Sequence, residues 1–228
     1  MTLHEGGHHD DENLPLHPAR TGLLADAALR GREAQQDAYT LNARLLAATR
    51  EGDQAAVTRL LDEGAAIDSR NRIGDTPLIS ACKKGLTPMA RMLIERGANV
   101  SQADVQGITP LMASAFDGND EIAALLIAHH ADIAATDRVG KTAMDYAAGQ
   151  GHTAIVQRLL DAGVDVNAAY RNHLTALMWA AGYDREETAS MLLAHGAKRD
   201  LRDDRGMTAK DIAVQTGSTR VAALLSKG

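Results

Sequence analysis

Large aromatic side chains are scarce in this sequence. Of 228 residues, 45% are hydrophobic but only 3% are aromatic, with one Trp, one Phe and four Tyr. A globular core of this length normally contains more large rings. Alanine and leucine must therefore supply most of the packing.

Disulfides and long hydrophobic runs are also absent. The single cysteine, Cys82, excludes an internal disulfide, and we expect it to be a buried structural thiol. No apolar run approaches the length of a membrane span, and the segment Gly22-Leu23-Leu24-Ala25 is too short for a signal sequence. We expect no membrane insertion. The sequence as written predicts a cytoplasmic protein, or a periplasmic one if a leader has been removed ahead of Met1.

The charge balance gives no sign of a nucleic-acid partner. The formal net charge is −6 and the isoelectric point is about 5.8, so there is no general basic surface for phosphate backbones. The sequence has no phosphate-binding loop, no paired-cysteine motif and no dinucleotide fingerprint. We therefore expect no cofactor, no nucleic-acid binding and no enzymatic activity.

What the sequence does contain is a repeat of 33 residues without slippage. One column holds a threonine at every step, at Thr76, Thr109, Thr142, Thr175 and Thr208. Two residues before each threonine stands Gly74, Gly107, Gly140, His173 or Gly206. A second glycine column runs through Gly52, Gly85, Gly118, Gly151, Asp184 and Gly217, and a third through Gly64, Gly97, His130, Gly163 and Gly196. Self-similarity at this period indicates a repeat array.

One repeat encodes two short helices and a loop. Thr76-Pro77 provides a capping hydroxyl and a proline suited to the first helical position, and Gly85 ends the helix that starts there. Thr87-Pro88 predicts the start of a second helix, which Gly97 closes in the left-handed conformation. The residues from Ala98 to the next unit carry the turn chemistry of a projecting loop.

Such short helices need neighbours. Each helix has two to three turns, well below the roughly 12–15 residues at which an isolated helix is marginal in water. Stacking would place small pairs such as Ala147-Ala148 against leucine pairs such as Leu159-Leu160 of adjoining units. We expect a stack of units that is a monomer by itself.

The repeated segments resemble a known family. Asp75–Ala81, Ile108–Ser114 and Leu174–Ala181 are similar to the Thr-Pro-Leu-His-x-Ala-Ala core of ankyrin repeats, of the bacterial type. The resemblance implies an all-α ankyrin-repeat solenoid of about six stacked helix-turn-helix units with projecting loops. It predicts a repeat domain over 39–228, with units at 41–70, 71–103, 104–136, 137–169, 170–202 and 203–228. Alanine replaces the proline at 143, 176 and 209, and Lys210 replaces the leucine, which suggests a solvated terminal cap.

Residues 1–38 lie outside the period and form a polar, histidine-containing tail. His4-Glu5-Gly6-Gly7-His8 matches the H-E-x-x-H signature of zinc proteases, which requires a helix. The two glycines oppose a helix there, each costing about 1 kcal/mol relative to alanine. A disordered tail is the main interpretation, metal binding by His4, His8 and His9 is an alternative, and a zinc hydrolase is a third.

Two segments join the tail to the array. Leu23–Ala38 has helical composition, and we expect a helix that covers the exposed face of the first repeat. Leu41–Asn71 is that first repeat, with Leu41 in place of the usual glycine and Ala43 in place of threonine.

The ankyrin resemblance implies a protein partner held in a concave groove formed by loop tips and first helices. Every tip contains an apolar residue, which suggests an exposed apolar stripe of Ile73, Val105, Ile108, Val139, Leu174 and Met207. Four of the six aromatics fall on the first helices, and aromatic residues dominate binding hot spots. The predicted partner contacts are Ile73, Lys83, Lys84, Val105, Ile108, Phe116, Asp117, Val139, Tyr146, Tyr170, Arg171, Leu174, Trp179 and Tyr183.

Two adjacent units carry opposite charge. Unit 71–103 has five basic and two acidic residues, whereas unit 104–136 has five acidic residues and no Lys or Arg. Such a step could orient a partner. A chance cluster on a solvated face is the alternative. The predicted role is an adaptor, or an inhibitor or immunity protein that covers an enzyme's active site.

Overall fold

The computed structural model describes residues 18–227, with side chains from Leu29 onward, and the regular elements of this part of the chain are helices apart from one isolated bridge between Ala169 and Thr175. The helices are α1 (Pro18–Glu51), α2 (Gln54–Asp62), α3 (Pro77–Lys83), α4 (Thr87–Glu95), α5 (Pro110–Asp117), α6 (Asp120–Ala128), α7 (Ala143–Gln150), α8 (Thr153–Asp161), α9 (Ala176–Gly182), α10 (Glu186–Ala194), α11 (Ala209–Thr216) and α12 (Thr219–Leu225). A short 3-10 turn spans Arg171–His173. The predicted all-α stack of helix pairs is confirmed.

The threonine column starts the first helix of each pair. In α3 the Thr76 hydroxyl accepts a hydrogen bond from the Ile79 amide at 3.2 Å, and in α5 Thr109 accepts from Met112 at 3.2 Å. The same bond recurs at the starts of α7, α9 and α11. Each hydroxyl satisfies one of the amides that a helix start leaves unpaired.

The columns predicted from glycine mark left-handed backbone, whichever residue occupies them. Gly118, Gly151 and Gly217 cap their helices with φ between 73° and 85°. The residues that replace glycine keep this geometry, with φ of 61° at His130, 55° at His173 and 56° at Asp184. The position therefore dictates the conformation, and glycine is only its least strained occupant.

The predicted start of the second helix is wrong by one residue. Leu86, not Thr87, caps α4, and no side chain makes a capping hydrogen bond there. The same is true of Asn119, His152, Arg185 and Ser218, which cap α6, α8, α10 and α12. These starts are held by the backbone turn instead, as when the Ala90 amide donates to the Leu86 carbonyl at 2.8 Å. In α2, by contrast, the Asp53 side chain accepts a capping hydrogen bond from the Ala56 amide at 2.9 Å.

Three of these capping side chains reach back to the preceding first helix. Asn119 donates to the Cys82 carbonyl at 2.7 Å, His152 to the Phe116 carbonyl at 3.1 Å, and Arg185 to the Gly149 carbonyl at 3.0 Å. Because a carbonyl can only accept, Nε2 of His152 carries the proton. These bonds join successive units and satisfy carbonyls that a helix end leaves free.

An Asx column that sequence reasoning missed shapes the loop tips. Asp104 Oδ1 accepts from the Gln106 and Ile108 amides at 2.8 and 2.9 Å. Asn71, Asp137 and Asp203 make the same pair of bonds in their own tips. Tyr170 occupies this position in the remaining tip and makes no such pair of bonds. That tip forms the 3-10 turn at Arg171–His173 instead.

Backbone bonds also join one tip to the next. The Val105 amide donates to the Ile73 carbonyl at 3.1 Å, and the Arg138 amide donates to the Gln106 carbonyl at 2.9 Å. The helices contact the corresponding helices of the adjoining pairs. Each unit therefore depends on the units before and after it.

The core is built from small and aliphatic side chains, as predicted. In the small-residue column, Cys82, Ala115, Ala148 and Ala181 are fully buried. Val214 holds this position in α11, the first helix of the final pair, and is 65% exposed. The difference follows from stacking, since a following unit covers each of the buried residues.

Helix α1 is longer than the predicted helix over Leu23–Ala38. It runs without a break through Thr40 and into the first repeat, where Leu45 is fully buried. Residues 29–40 are exposed throughout, and residues 41–228 form a compact unit of their own. The capping role and the unit boundaries stay predictions.

Candidate protein-binding surface

Four aromatic side chains lie in sequence along the first helices. Phe116, in the last turn of α5, lies next to Tyr146 of α7, with ring centroids 5.8 Å apart and an interplanar angle of 84°. Trp179 of α9 stacks on Tyr183, with centroids 6.3 Å apart and an angle of 13°. We call these four residues the aromatic row. Its outer members are the most accessible, since Phe116 is 48% and Tyr183 54% exposed.

Lys141 joins the two halves of the aromatic row. Its ammonium nitrogen lies 4.2 Å from the centroid of the Trp179 ring and 5.3 Å from that of Tyr146. Both distances are within the range of cation–π attraction. Lys141 was not among the partner contacts predicted from the sequence. One feature of the sequence could have identified Lys141 as a contact residue. It occupies a repeat position at which the neighbouring units have Ile108 and Leu174.

A glycine inside α7 lies beside the stacked pair. A Cβ atom at Gly149 would lie 3.5 Å from the Tyr183 ring and 3.9 Å from Cβ of Trp179, which are ordinary van der Waals distances. An alanine would therefore fit at this position, although glycine within a helix costs about 1 kcal/mol relative to alanine. The Tyr183 ring packs against α7 without requiring the glycine.

The two lysines predicted as partner contacts are already engaged within the chain. Lys83 donates to Asp75 at 2.7 Å and lies 3.5 Å from Asp104, and both carboxylates are largely shielded from solvent. Lys84 donates to the Arg50 carbonyl at 2.7 Å. Their contribution to a partner is therefore weaker than the sequence alone indicates.

Asp117 differs from these lysines because it forms no hydrogen bond or ion pair within the described residues. Partial burial raises the pKa of its carboxyl group, while the nearby charges of Lys83 and His152 act in the opposite direction. The carboxylate is exposed and close to apolar side chains. It is accessible to an incoming cation.

An apolar depression on this face lies between α3, α5 and α7. It has a volume of about 440 Å³ and is lined by Lys83, Ile108, Met112, Ala113, Phe116, Asp117 and Tyr146. We call it the Phe116 pocket. Five of these seven residues were predicted contacts.

A smaller depression of about 170 Å³ lies beside Trp179. Predicted contacts Val139, Tyr170, Arg171 and Leu174 line it together with Lys141 and Asp145. Arg171 also donates to the Arg138 carbonyl at 3.3 Å, which holds the tip beside the preceding one. Tyr170 is half-buried, and burial is the main cause of its raised pKa.

The predicted apolar stripe is only half correct. Ile73, Val105 and Val139 are exposed by 56%, 40% and 56%, as expected for tip residues. Ile108, Leu174 and Met207 are partly buried and contact the core. They directly precede the helix-starting threonine, where the chain turns back toward the core, so they cannot form part of an exposed stripe along the tips.

Asp145 is a buried carboxylate in this region. It forms a capping box with Thr142, whose amide and hydroxyl both donate to Oδ2, at 2.9 and 3.0 Å. Burial raises its pKa to about 6, and the bonds from Thr142 and the charge of Lys141 oppose the rise. Thr208 and Asp211 form the same box in α11, but Asp211 is exposed and the Thr208 bonds lower its pKa.

Asp145→Asn is expected to remove a pH dependence of stability. The folded pKa of about 6 exceeds the ordinary value of 3.8, so folding is favoured below about pH 4 and this contribution is lost as the pH rises through 6. Asparagine can accept both Thr142 bonds without a charge. The free energy of unfolding of the variant, relative to that of the wild type, should rise by about 2–3 kcal/mol as the pH increases from 4 to 7. Urea unfolding at each pH measures this difference.

Asp211→Asn is the matched control for this experiment. Because the Thr208 bonds lower the pKa of Asp211, its contribution is present above the unfolded pKa and lost at lower pH. The free energy of unfolding of Asp211→Asn, relative to that of the wild type, should therefore fall as the pH increases, the opposite of the change expected for Asp145→Asn. An Asp145→Asn difference that does not vary with pH would contradict the assignment.

Other candidate chemistry finds little support in the described residues. Cys82 is fully buried and burial raises its pKa to about 12, which leaves an inert thiol. Between residues 29 and 227, whose side chains are described, no group of three or more His, Cys, Asp or Glu side chains is arranged to hold a metal ion. His4, Glu5, His8 and His9 lie outside the described residues, so the metal and hydrolase hypotheses for the tail stay untested.

Comparison with known families agrees with this architecture. A family model described as ankyrin repeats matches residues 28–104, 45–137, 101–170 and 144–228. This chain belongs to the ankyrin-repeat family. Ankyrin repeats are generally protein–protein interaction modules and are typically not enzymes. A search of curated proteins found no match. Within the described part of this ankyrin-repeat chain, no helix is long and apolar enough to cross a membrane.

Proposed function

We propose that this ankyrin-repeat chain is an adaptor that binds one protein partner on its first-helix face, the surface formed by α3, α5, α7, α9 and the loop tips before them. The aromatic row carries the proposal. Its rings extend over three successive first helices and are exposed at both ends. Large rings with a polar edge are the side chains most enriched in binding hot spots.

The row is held in place before any partner arrives. Tyr146 donates from its hydroxyl to Asp137 at 2.5 Å, and Lys141 lies between the rings of Tyr146 and Trp179. Ordering flexible side chains costs free energy on binding, so anchors already fixed by neighbours lose less. This supports a binding role for the row beyond its part in packing.

An inhibitor or immunity protein is a specific form of the same proposal. In that form the partner is an enzyme, and the first-helix face covers its active site. The two forms differ in one measurement, the activity of the captured partner with and without this chain. Loss of activity on binding supports an inhibitor, and unchanged activity supports an adaptor.

Trp179→Ala and Phe116→Ala are each expected to weaken partner binding by about tenfold or more, the effect of removing a hot-spot ring. The full-length chain serves as bait in extracts of its source cells, and bound proteins are identified by mass spectrometry. Affinity for the recovered partner is then measured for each variant.

Val214→Ala is the matched control. Val214 is an exposed apolar residue of α11 that lies outside the first-helix face. The Val214→Ala variant should bind the recovered partner as tightly as the wild type. If all three variants bind the same protein equally well, the partner does not use the aromatic row.

A further inference from the structure

The Phe116 pocket combines apolar walls with one unpaired charge. Met112 and Ala113 are buried, while the Phe116 and Tyr146 rings meet edge to face. Asp117 lines the same pocket and has no partner within the described residues. Partial burial raises the pKa of its carboxyl group, and Lys83 and His152 lie near enough to oppose the rise, but neither forms an ion pair with it in the described residues. A carboxylate next to apolar surface is stabilised by a cation in direct contact.

Nearby charges favour a positively charged occupant. Lys83 also lines the pocket, but Asp75 and Asp104 both contact its ammonium group. These two carboxylates and Asp117 outnumber the lysine. The other acidic residues Asp120 and Glu121 are paired with Arg158 and Arg91. Within the described residues, Asp117 is thus the carboxylate of this region that remains free.

We propose that the Phe116 pocket receives an arginine side chain from the protein partner, with its guanidinium group on the Phe116 ring and paired with Asp117. This inference rests on the proposed function, because it specifies what the partner presents to the first-helix face. The volume of about 440 Å³ is large enough for such a side chain and lies within the range of about 300–1,000 Å³ for ligand pockets.

Arginine fits this arrangement better than lysine or a purely apolar residue. A guanidinium group is planar, so it stacks on an aromatic face and pairs with a carboxylate through two parallel hydrogen bonds. Its methylene groups can cover the apolar surface of Met112 and Ile108. An apolar side chain would fill the pocket but leave Asp117 desolvated without a partner.

Selection from a random peptide library on the full-length chain tests the inference. Sequences enriched on the wild type should contain arginine at one fixed position. Selection on Asp117→Asn should not enrich arginine. Glu95→Gln, which removes the same charge from an exposed residue of α4 that has no partner in the described part, should enrich the same sequences as the wild type.

Affinities of one selected peptide give the magnitude. Asp117→Asn and replacement of the arginine by citrulline, its neutral isostere, should each weaken binding by about tenfold or more, the effect of losing a hydrogen bond between charged groups. Phe116→Leu keeps an apolar wall but removes the ring, and should weaken binding by about two- to tenfold. Added salt should weaken the wild-type complex more than the Asp117→Asn complex.

The possible outcomes separate the inference from the proposed function. Peptides without arginine, or arginine peptides that bind Asp117→Asn as tightly as the wild type, would overturn the inference and leave a binding face intact. Enrichment of acidic sequences would also overturn the inference, and it would indicate that Lys141 is the charged contact. If no peptide is enriched and no protein is captured, both proposals fail.

Discussion

Replacing Gly74 with alanine should lower the free energy of unfolding by about 3 kcal/mol, from a strained left-handed backbone of about 1–2 kcal/mol and a lost hydrogen bond of about 1 kcal/mol. Gly74 has a φ of 84°, and a Cβ atom there would lie 2.7 Å from the backbone nitrogen of Val105. That nitrogen donates to the Ile73 carbonyl. The new methyl group would therefore separate two adjoining loop tips.

Gly206→Ala isolates the contribution of the tip contact. Gly206 occupies the same repeat position with a φ of 75°, but a Cβ atom there would meet nothing within 4 Å beyond its chain neighbours. This variant should lose only about 1–2 kcal/mol from backbone strain. Urea unfolding, followed by circular dichroism, compares the two. Equal losses would mean that the contact between tips does not hold the units together.

Leu111→Ala should lower the free energy of unfolding by about 2–5 kcal/mol, the usual cost of removing a buried leucine side chain. Leu111 is fully buried in α5, and α5 contacts both α3 and α7. Its loss weakens the stack on both sides. Unfolding should be followed by circular dichroism and by the fluorescence of Trp179, the only tryptophan.

Lys210→Ala is the corresponding change in the final pair. Lys210 occupies the same repeat position in α11 but is exposed, so its truncation should alter stability by no more than about 0.5 kcal/mol. A comparable loss in both variants would contradict the role of stacking. Because α7 lies between α5 and α9 and contacts both, coincidence of the two probes in Leu111→Ala tests whether the array unfolds cooperatively.

The helix starts and ends could be predicted where short-range chemistry decides them. Thr76 and Thr109 act on amides three residues away, and the left-handed positions persist even at His130 and His173. The second helix was misread because Thr87-Pro88 looks like a cap, whereas the turn at Leu86 starts α4. The Thr-Pro motif by itself does not reveal that the Thr87 hydroxyl makes no capping hydrogen bond.

The binding surface was less predictable. Sequence position placed Phe116, Tyr146, Trp179 and Tyr183 on first helices, and the structure has them there or, for Tyr183, at the residue that caps the helix end. It could not show that Lys141 lies between two of the rings or that Ile108 turns toward the core. These features depend on contacts between residues that are distant in the sequence or on burial in the core, which local patterns do not give.

The sequence by itself determined the repeat, the helix-starting threonines and the left-handed columns, because these depend on atoms only a few residues apart. Tertiary structure decided which charges are free and which carboxylates are buried. Lys83 is paired with Asp104 of the next unit, while Asp117 is left without a partner among the described residues. Asp145 and Asp211 have the same local motif but opposite pKa shifts, because only Asp145 is buried within the stack. Burial depends on contacts with neighbouring units, so it cannot be predicted from a local sequence pattern.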